Sequence, residues 1–131
     1  MGPEALRILI VDDHEDSAEM LSMLLSGKGH TTRIALDGDA ALDVAIAFQP
    51  HLGLLDLSLP GMSGYELAQR LRALPGLAHM RLVAVTGHGS EAHRAKTRAA
   101  GFDEHLLKPM DLDAMDRVLA SVLQGLENAS R

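Results

Sequence analysis

Five short apolar runs alternate along the chain with five stretches in which apolar residues return every three or four positions. The runs predict strands, being short and bounded by turn residues or polar stops. They cover residues 7–11, Thr31–Ala35, Leu52–Asp56 between Pro50 and Pro60-Gly61, Leu82–Val85, and about Glu104–Leu107. The periodic stretches predict helices. Asp16-Ser17 caps the first, which turns Met20, Leu21, Leu24 and Leu25 inward and stops at Gly27 and Gly29. Asp37 or Asp39 caps the second, with Ala41, Val44, Ala45 and Phe48 on its inner side. Ser63 caps the third, whose stripe is Leu67, Leu71 and Leu74 and whose stop is Pro75-Gly76. Ser90 caps the fourth, which runs to Gly101 with Ala92, Ala95 and Ala99 inside and Arg94, Lys96 and Arg98 outside. Asp111 caps the fifth, with Leu112, Met115, Leu119, Val122 and Leu123 inward and Gly125 as its end.

Strict alternation of buried strand and amphipathic helix predicts one α/β domain. It is a (βα)5 three-layer sandwich with a parallel five-stranded sheet covered on both faces. Right-handed crossovers leave few strand orders, of which 2-1-3-4-5 is the one adopted. Four of the strands end on groups of complementary chemistry: Asp12-Asp13, Asp56, Thr86 and Lys108. Parallel strands bring all five groups to one edge of the sheet, where open α/β folds hold their ligands. Gly53 inside the third strand points to a neighbour that packs closely against it.

Composition narrows the function classes. The 131 residues suffice for one cored domain, and the 47% apolar content excludes disorder. No apolar run reaches the roughly 18 residues that a membrane span needs, and MGPEALR lacks the features of a signal peptide. A cytoplasmic domain without membrane contact is expected. The absence of cysteine removes disulfide, zinc-thiolate and thiol chemistry. A net charge of −6, with Phe48, Tyr65 and Phe102 as the aromatics, argues against a nucleic-acid partner. The seven histidines show no HxxxH pair on an evident helix and read mostly as solvated or core residues.

Four motifs, VDDHED, LLDLSLPGMSG, VAVTGHG and GFDEHLLKP, follow one another in this order. Together they make residues 7–124 resemble the receiver domain of bacterial two-component response regulators. The resemblance implies a flavodoxin-like fold and supports the 2-1-3-4-5 order. It implies a single receiver domain over 1–131, core 7–124, with no output domain. LPGMSGYELAQRLR and GFDEHLLKP are most similar to receivers attached to hybrid sensor kinases. By position, Asp56 corresponds to the phosphoacceptor, and Asp12 and Asp13 to the acidic pair that holds Mg2+, Asp13 directly and Asp12 mainly through water. The Ser58 backbone carbonyl corresponds to a further metal ligand. Thr86 corresponds to the hydroxyl on the phosphoryl oxygen, Lys108 to the site ammonium, and Lys108-Pro109 to a cis peptide. His105 stands at the switch position, usually Tyr or Phe, and would add sensitivity to pH near neutrality.

The implied activity is a signalling switch rather than a conventional enzyme. A sensor histidine kinase or histidine phosphotransfer protein donates a phosphoryl group to Asp56. The surface of the fourth helix, fifth strand and fifth helix then shifts and is read by a partner or a second copy, and the chain later dephosphorylates itself. The residues suit this chemistry. A carboxylate can form an acyl phosphate, but three carboxylates within ~4 Å repel by roughly 4 kcal/mol per pair at an effective dielectric of ~20. A proton on one of them, or a divalent cation, relieves that repulsion, and oxygen ligands with several waters suit Mg2+. A haloacid dehalogenase-type phosphatase would carry D-x-D rather than Asp12-Asp13, together with a cap domain. A flavin or nucleotide binder would need a Gly-rich phosphate loop after the first strand. A pseudo-receiver serving only as a binding module would not need the acids, threonine and lysine intact.

Overall fold

The structure, a computed structural model, describes residues 5–87, 91–108 and 111–129. In chain order the elements are β1 (Arg7–Val11), α1 (Glu15–Gly27), β2 (Thr31–Ala35), α2 (Gly38–Phe48), β3 (Leu52–Asp56), α3 (Gly64–Arg72), β4 (Arg81–Thr86), α4 (Glu91–Ala99), β5 (Glu104–Leu107) and α5 (Leu112–Ala129). All strand pairs are parallel, in the order β2-β1-β3-β4-β5. This is the predicted flavodoxin-like (βα)5 sandwich.

Alternation along the strands divides the core in two. Ile8, Ile10, Leu52, Leu54, Val83, Val85 and Leu106 meet Ala18 and Leu25 of α1 and Met115, Val118, Leu119 and Val122 of α5. Leu9, Val11, Leu55, Leu82 and Ala84 turn to the other face and meet Ala41 and Ala45 of α2 and Leu67, Ala68 and Leu71 of α3. All five residues of β3 are buried, so both faces are apolar and the strand reads as a continuous hydrophobic run. Gly53 belongs to this packing: a Cβ there would lie 3.0 Å from Leu55 Cδ1 and 3.1 Å from Met80 Cε.

Three caps form as expected. Asp37 accepts from the Ala40 N–H at 2.8 Å, Ser63 from Glu66 at 3.2 Å and Asp111 from Asp113 at 2.9 Å. Ser90 lies outside the described residues. α1 differs from expectation: it starts at Glu15 with His14 in the capping position, rather than after Asp16-Ser17. The cause is the Asp12 side chain, which accepts the His14 N–H at 2.9 Å and turns the chain early. Met20 is exposed (72%), and Ala18 and Leu25 are the buried positions of α1.

In α5, Leu112 is 53% exposed because the buried stripe begins one turn later, at Met115. Gly125 does not end the helix, which continues to Ala129. Its missing side chain leaves room for Arg81, whose Nη2 would lie 3.0 Å from a Cβ at Gly125. The largest departure is α4. Ala92, Ala95 and Ala99 are exposed, and the inner face is Thr97, with His93 and Ala100 half-buried. Positions 93, 97 and 100 are as regular a helical stripe as the alanines, rotated by about one residue.

Candidate functional site

The parallel register sets the site at the carboxyl edge of the sheet. Val11 pairs with Leu55, so Asp12, the next residue after β1, emerges beside Asp56 at the end of β3. Asp56 and Asp12 are buried, at 5% and 9% exposure, while Asp13 is exposed. Lys108 follows β5, and its backbone N–H donates to the Thr86 carbonyl at 2.8 Å. Its ammonium reaches across β4 to Asp56 Oδ2 at 3.0 Å and lies 3.9 Å from Asp12 Oδ2. The other oxygen of Asp56 accepts the Ser58 N–H at 2.9 Å. Thr86, 4% exposed, ends β4. The structure thus brings Asp12, Asp13, Asp56, Ser58, Thr86 and Lys108 to one edge; Pro109 and its peptide lie outside the described residues.

Among the described residues, Asp12, Asp13, His14 and Asp56 each offer a ligand atom, all within 4.8 Å of one another. Three carboxylate oxygens match the preference of a hard divalent cation, so the donor set fits a metal of the Mg2+ kind. His14 was not singled out by the sequence reading. Its Nδ1 stands 3.3 Å from Asp12 Oδ1 and 3.3 Å from Asp13 Oδ1. The signal for it was its place in DDHED, directly after the acidic pair.

Behind Thr86 lies a cluster of rings, also missed. His93 Nε2 is 3.4 Å from Thr86 Oγ1. The His93 ring meets His105 edge-on at 5.6 Å and Tyr65 of α3 at 6.4 Å. Tyr65 in turn meets Phe102 edge-on at 6.5 Å and carries the Lys96 ammonium over its face at 4.6 Å. His105 Nδ1 lies 3.4 Å from Thr97 Oγ1, and that hydroxyl donates to the Arg94 carbonyl at 2.8 Å. Burial raises the Tyr65 pKa above its ordinary value of 10.0. Two of the chain's three aromatics, Tyr65 and Phe102, therefore form one cluster with His93 and His105, and His93 joins that cluster to Thr86.

An α/β sheet in this strand order, with buried acids, a hydroxyl and an ammonium at its carboxyl edge, is the architecture of a signalling receiver rather than of a dinucleotide site. The chain belongs to the response regulator receiver domain family, whose model matches residues 8–120. It is 36% identical over 116 residues to the virulence sensor protein BvgS of Bordetella pertussis, covering 85% of this chain and 9% of that protein. It is 39% identical over 103 residues to the DNA-binding response regulator MtrA of Mycobacterium tuberculosis, covering 79% of this chain and 44% of that protein. The chain thus spans less than half the length of these relatives. Among solved structures it resembles the chemotaxis response regulator CheY4 of Vibrio cholerae, with a TM-score of 0.83 and 26% identity over 89% of this chain and 98% of that one. It also resembles NtrX of Brucella abortus, with a TM-score of 0.85 and 28% identity over 96% of this chain and 29% of that one. No helix among the described residues is long and apolar enough to cross a membrane.

Proposed function

We propose that the chain is the phosphoryl-accepting switch of a two-component phosphorelay, with Asp56 as the acceptor. The donor is a phosphohistidine on a sensor histidine kinase or a histidine phosphotransfer protein. The observation that carries this reading is the contact of Lys108 Nζ with Asp56 Oδ2 at 3.0 Å, with Asp12 alongside. A buried carboxylate held by an ammonium at the open edge of a sheet is positioned to take up an anionic group.

An Asp56 carboxylate oxygen attacks phosphorus, the phosphorus–nitrogen bond breaks, and the donor imidazole leaves with the electron pair. Lys108 balances the charge on the phosphoryl oxygens from one side. Asp12 and Asp13, with Asp56 and the Ser58 carbonyl, would hold Mg2+, which supplies charge neutralisation and orientation on the other. The Thr86 hydroxyl donates to a phosphoryl oxygen, and His105 responds to its movement. The exposed Leu107 and Leu112 supply apolar contacts on the face of α4, β5 and α5 that a partner or a second copy reads. Hydrolysis of the acyl phosphate by water returns the Asp56 carboxylate and releases inorganic phosphate.

Incubation with acetyl phosphate tests the reading. In Mg2+ the wild-type chain takes one phosphoryl group, read by intact-mass spectrometry. Asp56→Asn takes none, and chelation of Mg2+ abolishes labelling of the wild type. Undiminished labelling of Asp56→Asn would refute the assignment.

A further inference from the structure

We propose that His93 of α4 is a positioning residue for this phosphotransfer: its imidazole holds the Thr86 hydroxyl back before phosphorylation and couples its release to α4 and β5. The inference rests on the function proposed above and adds a residue that the motifs do not contain. Strand parity supplies the first reason. Ala84 lies in the core cluster of the α2–α3 side, and Thr86, two residues on, points to the same side of the sheet. Ala84 pairs with His105 and Thr86 with Leu107, so His105 shares that side, diagonally from Thr86. His93 of α4 bridges the two, 3.4 Å from Thr86 Oγ1 and 5.6 Å ring to ring from His105.

The second reason is the strength of the contact. At 3.4 Å it stands at the outer limit of a hydrogen bond. A bond from the same hydroxyl to a phosphoryl oxygen is charge-assisted and roughly twice as strong. The imidazole can therefore hold the threonine while Asp56 is bare and yield it once the phosphoryl group arrives. The third reason is what holds the imidazole. Tyr65 of α3 meets it edge-on and is itself fixed by Phe102 and by Lys96. His105 meets it on the β5 side and is linked through Thr97 to the backbone of α4. When Thr86 departs, the groups that feel the change belong to α3, α4 and β5, of which α4 and β5 form part of the output face.

Three variants test this. His93→Phe keeps a ring against Tyr65 and His105 but offers Thr86 no nitrogen, whereas His93→Gln restores a polar atom at the same reach. With limiting acetyl phosphate and Mg2+, His93→Phe should accumulate more phosphoprotein and lose it about two- to tenfold more slowly, the range expected for one hydrogen bond. His93→Gln should behave as wild type. In a Thr86→Ala background, His93→Phe should change nothing further, since the hydroxyl it acts through is gone. An equal effect of His93→Phe in both backgrounds, or none in either, would overturn the proposal. A second readout needs no phosphorylation: the His93 imidazole nitrogen resonances should move in Thr86→Ala, and unchanged resonances would overturn it equally. If the wild-type chain took no label, the proposed function would fall while the resonances still decided the contact.

Discussion

The tightest approach behind Asp56 is made by a residue with no side chain. Gly64 opens α3, and a Cβ there would lie 2.8 Å from Leu57 Cα, 2.9 Å from the Asp56 carbonyl oxygen and 2.9 Å from Leu57 Cδ2. Glycine-to-alanine in a helix usually helps, by about 0.8–1.0 kcal/mol in the interior and less in the first turn. Here the obstructing atoms include backbone, so no side-chain rotation clears them, and either α3 or the turn after β3 must move. Forced overpacking of this kind costs typically about 1–3 kcal/mol. The clash outweighs the propensity gain, and Gly64→Ala should lose about 1–2 kcal/mol. Gly27 is the control. It ends α1, and a Cβ there would meet nothing within 4 Å, so Gly27→Ala should gain up to about 0.5–1 kcal/mol. Urea titration followed by far-UV circular dichroism reads both, and each kcal/mol corresponds to roughly 3–4 °C in melting temperature for a domain of this size. Gly64→Ala should also slow labelling by acetyl phosphate, because the displaced turn carries Asp56. A Gly64→Ala chain as stable as wild type would refute the reasoning, since it would mean that the turn after β3 moves without cost.

Two further outcomes follow from groups remote from the site. The backbone N–H groups of Leu6 and Arg7 donate to Nδ1 of His30 and of His51, each at 2.9 Å, so a neutral imidazole flanks the start of β1 on either side. Burial first, and then Lys28 for His30 or Arg7 for His51, hold both pKa values below the ordinary 6.5. The unfolded chain therefore binds these protons first as pH falls, and stability should decline below about pH 6.5 by at most about 1.4 kcal/mol per pH unit for each histidine. Urea midpoints between about pH 7.5 and 5.5 should fall less in His30→Asn, which keeps an acceptor but does not titrate; an equal fall would refute the assignment. Asp103 Oδ2 accepts both Arg72 Nη2 at 2.7 Å and the Leu82 N–H at 2.9 Å, joining α3 to the start of β4. Asp103→Ala takes this acceptor from the Leu82 N–H and the ion pair from Arg72, which keeps its bond to the Gly101 carbonyl at 2.8 Å; it should cost about 1–2 kcal/mol by urea titration, and a loss under about 0.5 kcal/mol would count against that joint.

What was legible in the sequence and what was not divides along one physical line. Strand ends are local: an apolar run that stops on Asp56 or Thr86 announces both the strand and the group at its tip, and parallel pairing then assembles the site without further information. The phase of a helix is not local. α4 offers two stripes of equal regularity, Ala92-Ala95-Ala99 and His93-Thr97-Ala100, and hydrophobicity alone selects the alanines. The structure selects the other, burying Thr97 to 3% exposure, because that face meets Thr86 and His105, whose hydroxyl and imidazole need polar partners on the opposing helix. The start of α1 shows the same influence, since the Asp12 side chain accepts the His14 N–H and the helix begins at Glu15 rather than after Asp16-Ser17. In both helices the sequence pattern misled where a polar group of the site sets the local geometry. A helix near such an edge is better phased by asking which of its faces can satisfy the strand-end groups than by asking which face is the more apolar.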